Sequence, residues 1–302
     1  MRVVNDNKQE EKTAGNELGF VAVASYSFLT ALGIATVILG PLPMILSHIR
    51  LSDPWPKVSA LLGAVLALAL LDVPLPFVIL VFVFGLFVSD TFGRVSSFWK
   101  LLALAFLVSV GLGVGILLTG AHTDKVSLLA YWGQGVDSLV KDIQSAVTVD
   151  KSFKWEMMRA LLFYEGPFLY LSAAILSVWL SVGAVAHMGW LTADHPFSSE
   201  SLRRLRLPRW VSIAFLALFV AVFSSPTKFQ YLFSGVFRLA GALMFIQGCI
   251  FLSEVLSRKM VQPRSRTFIY SAAILIGFYA LMGVGVVSPW ILKNREKLEE
   301  RS

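Results

Sequence analysis

Apolar runs of about twenty residues recur along this chain, from Phe20 to Ile291, divided by short polar or proline-bearing stretches. A helix needs about 20 apolar residues to cross the ~30 Å of hydrocarbon in a bilayer. Eight runs stand out, near positions 20–39, 57–71, 75–88, 99–118, 158–187, 210–223, 229–256 and 268–291. At that length they take up roughly 160 residues, more than half of the 302 in the chain. No room remains for a large soluble domain. The charged share, 15%, falls well below the ~25% of soluble domains. The expected fold class is therefore all-α, a polytopic transmembrane helical bundle of about eight spans.

Lysine and arginine total 26 against 19 acidic residues, a net charge of +7. The cations cluster between the apolar runs, where they act as topology signals and contact lipid headgroups. That placement argues against nucleic acid as a partner and for the lipid bilayer. The lone cysteine, Cys249, lies inside an apolar run. An intrachain disulfide and a cysteine-cluster metal site are both excluded. His187, Asp194 and His195 lack the spacing of a zinc-binding helix motif. No nucleophile elbow and no paired intramembrane carboxylates occur. The expectation is a protein that is not an enzyme and has no metal and no cofactor.

In chain order, residues 1–18 form a polar tail of mixed charge without a short apolar region or cleavage site, so the first run must insert itself. Gly40-Pro41-Leu42-Pro43 follows. Proline lacks a backbone donor and restricts the residue before it, so the helix breaks or kinks there. The break is either a simple kink or a loop that turns backbone carbonyls toward a cavity. Trp55, set between Pro54 and Pro56, reads as an interface anchor. The second and third runs are short and tightly joined. They tilt little, thin the bilayer or form a re-entrant pair. Asp90 and Arg94 have the i, i+4 spacing of a helix-end ion pair. Gly111 and Gly115 make the small-xxx-small pattern that lets helices cross closely.

Between 121 and 155 the chain is hydrophilic, but Trp132, Val136, Leu139, Val140, Ile143 and Val147 recur at helical spacing. That predicts an interfacial amphipathic helix near 130–148. The domain plan is a tail at 1–18, one transmembrane domain at 19–292 and a charged tail at 293–302.

The run at 229–256 is the most informative. It carries Arg238, Gln247 and Glu254 with Gly235, Gly241 and Gly248. Charge inside hydrocarbon is expensive, so these groups face protein or water, and the glycines admit a neighbouring helix. Glu165, in Glu165-Gly166-Pro167, lies about seven residues into its own run. At 1.5 Å per residue, Glu165 and Arg238 both sit roughly 10–15 Å from one surface. An ion pair that fixes helix register and a polar floor for a ligand are both open readings. Gln247 suits a helix–helix hydrogen bond or a ligand contact, and Glu254 with Arg258 a local pair.

The chain resembles the YybS-like family of predicted bacterial membrane proteins of unknown function. Gly40-Pro41-Leu42-Pro43, Leu207-Pro208, Gln247-Gly248, Gly285, Trp290 and Arg295 carry the resemblance. The family often has a carboxylate near the position of Ser288, which this chain lacks. The family is in turn similar to the S components of energy-coupling-factor transporters. That likeness implies small residues on the first helix, here Ala31 and Ala35, docking a transmembrane protein partner. It also implies a small-solute ligand.

Arg238, Gln247, Glu165, Pro41 and Pro43 are the candidate ligand residues. Ala31, Ala35, Gly111, Gly115, Gly241 and Gly248 are the candidate packing residues. The expected location is the bacterial inner membrane, multi-pass, with both termini cytoplasmic. The alternative is a structural protein that docks partners through its loops and amphipathic helix.

Overall fold

The computed structural model describes residues 6–36, 40–71, 73–146, 154–188, 191, 195–259 and 277–299, with 265, 269 and 272 between. For the helical residues 6–20, 227–228 and 292–299 only the backbone course is described. Asp194, Val147, Arg264, Arg266 and most of 268–276 lie outside the described residues.

All regular structure among the described residues is helical. The elements are α1 (Asp6–Thr36), α2 (Pro41–Arg50), α3 (Trp55–Leu70), α4 (Leu75–Phe92), α5 (Phe98–Thr123), α6 (Leu128–Ala146) and α7 (Trp155–His187). They continue as α8 (Ser199–Arg203), α9 (Arg209–Ser224), α10 (Thr227–Arg258) and α11 (Phe278–Glu299). Four have helical stretches long and apolar enough to cross a membrane: Leu75–Phe92, Phe98–Thr123, Trp155–His187 and Phe229–Arg258. Four shorter apolar helical stretches cover Val21–Thr36, Trp55–Leu70, Arg209–Ser224 and Phe278–Ile291. Every apolar run of the sequence thus carries a helix. The first one extends back to Asp6, into the polar stretch.

The chain divides into two compact units, residues 1–112 with 177–192, and residues 113–176 with 193–302. In the first unit, α1 and α3 meet through small side chains. A Cβ on Gly63 would collide with Thr30 and with the Ser27 carbonyl. Ala31, Ile34, Ala60, Ala64 and Ala67 are buried beside that crossing. Ala31 is therefore consumed in internal packing, while Ala35 is exposed.

Pro41 and Pro43 stand in the first turn of α2 and are buried. A proline there loses no helical hydrogen bond, because first-turn N–H groups have no intrahelical acceptor. The proline pair therefore opens a new short helix. α2 and α4 run parallel with a constant offset: Gly40 neighbours Gly85, and His48 neighbours Gly93. Between these, Ser89 Oγ donates to the Met44 carbonyl at 2.9 Å.

In the second unit, α10 is antiparallel to α9 and packs closely on α11. Phe215 stacks on Phe237 at 4.7 Å, and Phe245 on Phe278 at 4.7 Å. The glycines allow the α10–α11 approach. A Cβ on Gly248 would strike the Leu281 carbonyl, and one on Gly285 the Met244 carbonyl. α7 runs parallel to α10, with Tyr164 stacked on Tyr231 at 5.2 Å and Gly235 against Phe168 one turn further along both. Gly241 meets the Met282 methyl. By contrast, a Cβ on Gly111 or Gly115 would meet no heavy atom within 4 Å among the described residues.

Candidate functional site

Three helices of the second unit converge on the Phe163–Pro167 segment of α7. Pro167 has no N–H, so the Phe163 carbonyl, four residues back, loses its helical partner. An unsatisfied carbonyl in an apolar setting is costly. Trp132 of α6 supplies the missing donor: its indole Nε1–H donates to that carbonyl at 2.9 Å. The same indole rests on Gly166, where a Cβ would come within 3.0 Å of the ring. One turn away, Arg159 pairs with Asp137 of α6 through two hydrogen bonds. The Arg159 hydrogen bond holds the Asp137 carboxyl below its ordinary pKa. The amphipathic helix is thus fixed to α7 by a proline vacancy, a glycine seat and a charge pair.

Trp132→Phe removes the donor and keeps most of the ring. It should destabilise the protein by about 1 kcal/mol or more, the cost of an orphaned carbonyl. In a Pro167→Ala background the helical N–H returns, and the same change should cost much less. Thermal melts of the four proteins in detergent check this. Equal costs in both backgrounds would assign the effect to ring packing alone.

The third helix at this point is α10. Arg238 Nε lies 2.5 Å from Glu165 Oε2. The Glu165 side chain is 5% exposed and that of Arg238 is 44% exposed. The two candidate residues that the sequence placed at one depth do meet. Gln247 lies elsewhere: nine residues beyond Arg238, it is about 13 Å further along α10. Its Oε1 accepts the Leu207 N–H at 3.0 Å, just ahead of the proline that opens α9. A small solute at Arg238 does not also reach Gln247.

Gln247 belongs to a second polar seam. Glu254 pairs with Arg206 at 2.6 Å and with Arg258 at 2.7 Å. Arg203 donates to Ser257 Oγ at 3.0 Å. Gln247, Glu254 and Ser257 recur on one face of α10 and bind down the segment between α8 and α9. Of the four arginines at 203, 204, 206 and 209, Arg203 and Arg206 are therefore internal fasteners. Sequence reading saw only the local Glu254–Arg258 pair.

α11 repeats the proline logic. Pro289 frees the Gly285 carbonyl, and Ser288 Oγ donates to it at 3.0 Å. A carboxylate at position 288 would lack that donor when ionised. Pro41 and Pro43 belong to the first unit and Glu165, Arg238 and Gln247 to the second. Of the histidine cluster, His187 ends α7, and His195 accepts the Phe197 N–H at 3.2 Å. No three metal-ligating side chains gather among the described residues.

A polar cleft in the first unit escaped the sequence reading. It measures about 230 Å³ and is framed by the C-terminal ends of α2 and α4 and the N-terminal end of α3. Met44, Leu86 and Pro56 give it apolar walls; His48, Asp53, Lys57, Ser89, Asp90 and Arg94 give it polar ones.

Apolar helices of spanning length, with charge held in pairs inside them, define a polytopic helical membrane protein. The match of residues 18–288 to the family described as Predicted membrane protein (DUF2232) makes this specific: the chain belongs to that family. No curated protein and no solved structure matches the chain.

Proposed function

We propose that this protein is a non-enzymatic solute-binding protein of the bacterial cytoplasmic membrane, an eight-crossing bundle with an S-component-like core and cytoplasmic termini. The observation that carries the reading is the state of Arg238. Glu165 Oε2 sits against Nε as an ion pair without a formed hydrogen bond, while Nη1 and Nη2 have no partner among the described residues. This guanidinium lies about 16 Å along an apolar helix from its start, yet its side chain is 44% exposed. Such a group demands an anionic or carbonyl-bearing partner. A planar fork with its outer nitrogens open fits a carboxylate or phosphate. The buried Glu165 draws the guanidinium by charge and lowers the net charge that the pocket presents.

A second reading, a docking or assembly protein, draws support from α6. Its inner side is fixed to α7, while Leu128, Leu129 and Leu139 stay exposed.

Native mass spectrometry of the protein, extracted gently from its own membrane, separates the two. A discrete small adduct, absent from Arg238→Gln, is the expected result. A stoichiometric protein partner without such an adduct would favour assembly. Bulk lipid alone, unchanged in Arg238→Gln, would overturn the solute reading.

A further inference from the structure

The cleft of the first unit has features that the Arg238 site lacks. Its walls carry two cations, Lys57 and Arg94, two anions, Asp53 and Asp90, and one histidine, His48. The formal charge of the four is zero, so a multiply charged ligand of either sign gains nothing overall. Both signs are nonetheless placed around an apolar floor of Met44 and Leu86. The helix ends add to the pattern. α2 and α4 both finish here, and helix C-termini favour cations. α3 begins here, and a helix N-terminus favours anions.

The existing pairs are local and exchangeable. Lys57 and Asp53 are 3.7 Å apart, beyond hydrogen-bond range, with both side chains mostly exposed. Arg94 and Asp90 are 2.8 Å apart, again with i, i+4 spacing. Each pair offers a ligand one cation and one anion without breaking any buried contact. Ser89 is already engaged with the Met44 carbonyl and contributes packing only.

Position supplies the remaining argument. α4 has the length and composition of a membrane span, and Asp90 and Arg94 bracket its last residue, Phe92. Trp55, half-exposed, precedes the cleft residues Pro56 and Lys57. Tryptophan in such a setting sits at headgroup level. At ~30 Å³ per water the cleft has room for roughly eight small groups, the size of a headgroup rather than of a lipid tail.

We infer that this cleft binds a zwitterion whose primary ammonium and anionic phosphate lie a few bonds apart, the phosphoethanolamine chemistry. Asp53 and Asp90 take the ammonium; Lys57 and Arg94 take the phosphate. Two sources carry that chemistry, the headgroup of phosphatidylethanolamine and the free water-soluble zwitterion.

The test uses the full chain in detergent, titrated with phosphatidylethanolamine, phosphatidylglycerol, phosphatidylcholine or free phosphoethanolamine and read by native mass spectrometry. Phosphatidylethanolamine should be retained at least tenfold better than phosphatidylglycerol, and better than phosphatidylcholine, whose quaternary ammonium donates no hydrogen bond. Asp90→Asn with Arg94→Gln should abolish that preference at an unchanged melting temperature. Saturation by free phosphoethanolamine at comparable concentration would identify the soluble source; saturation by the lipid alone would identify the headgroup. Equal retention of the lipids, or an unaltered preference in the variant, would overturn the inference. Should the variant melt early, hydroxyl-radical footprinting of His48 in the unaltered chain decides. Protection by either phosphoethanolamine source and not by phosphatidylglycerol supports the site, and unchanged labelling refutes it.

Discussion

Gly248→Leu is expected to leave almost no folded protein, with recovery after size-exclusion chromatography down at least tenfold. The reason is what the new side chain would meet. Overpacking a core costs about 1–3 kcal/mol when neighbouring side chains yield. At Gly248 the obstacle is the Leu281 carbonyl, part of a helix backbone, and it cannot step aside without moving α11. Moving α11 also breaks the reciprocal contact, where Gly285 lies against the Met244 carbonyl. It separates Phe245 from Phe278 as well. One substitution therefore opens a whole helix crossing. In hydrocarbon such a crossing is held chiefly by close van der Waals packing, since lipid offers no hydrophobic drive between helices.

Gly111→Leu is the matched control. A Cβ there meets nothing within 4 Å among the described residues, and the helix loses a poor helix former. Its recovery should match that of the unaltered chain. Comparable losses for both variants would mean that the α10–α11 crossing is not the tight one.

These two glycines show where sequence reading succeeds and where it stops. Run length located the four long and four shorter apolar helices found among the described residues, because the bilayer requirement is local to each run. Spacing alone nominated Gly111, Gly115, Gly241 and Gly248 equally, but packing is a property of the partner. Only contact with α11 separates Gly248 from Gly111. The proline vacancies at Phe163 and Gly285 follow directly from Pro167 and Pro289. The donor at Gly285 lies three residues away and is readable. The donor at Phe163 is Trp132, 31 residues earlier, and nothing local announces it. For the same reason the cations between the apolar runs read only as topology signals: that Arg203 and Arg206 also fasten α10 depends on residues about fifty positions away. The polar cleft was invisible because it depends on α2 and α4 lying side by side in parallel.

The pair of Glu165 and Arg238 yields the second large effect, and its asymmetry is the test. Among the described residues, Arg238→Leu removes the one cation paired with a carboxylate whose side chain is 5% exposed. Orphaning one member of a buried pair costs about 3–5 kcal/mol; the partly exposed guanidinium lowers the expectation to about 2–4 kcal/mol. Glu165→Leu leaves a guanidinium that is 44% exposed and carried on a long flexible stem. Such a side chain can turn toward water or a lipid phosphate, so the loss should be about 1 kcal/mol. With both replaced by leucine, no buried charge remains unpaired, and stability should return close to that of Glu165→Leu. Thermal melts of the four proteins complete the double-mutant cycle. A large loss for Arg238→Leu that the second substitution repairs would identify Glu165 as the cause. Equal, additive losses would show that the two side chains do not act on each other. That result would also remove the physical basis for a guanidinium fixed toward a ligand, because an arginine that Glu165 does not hold has no reason to keep its outer nitrogens in one direction.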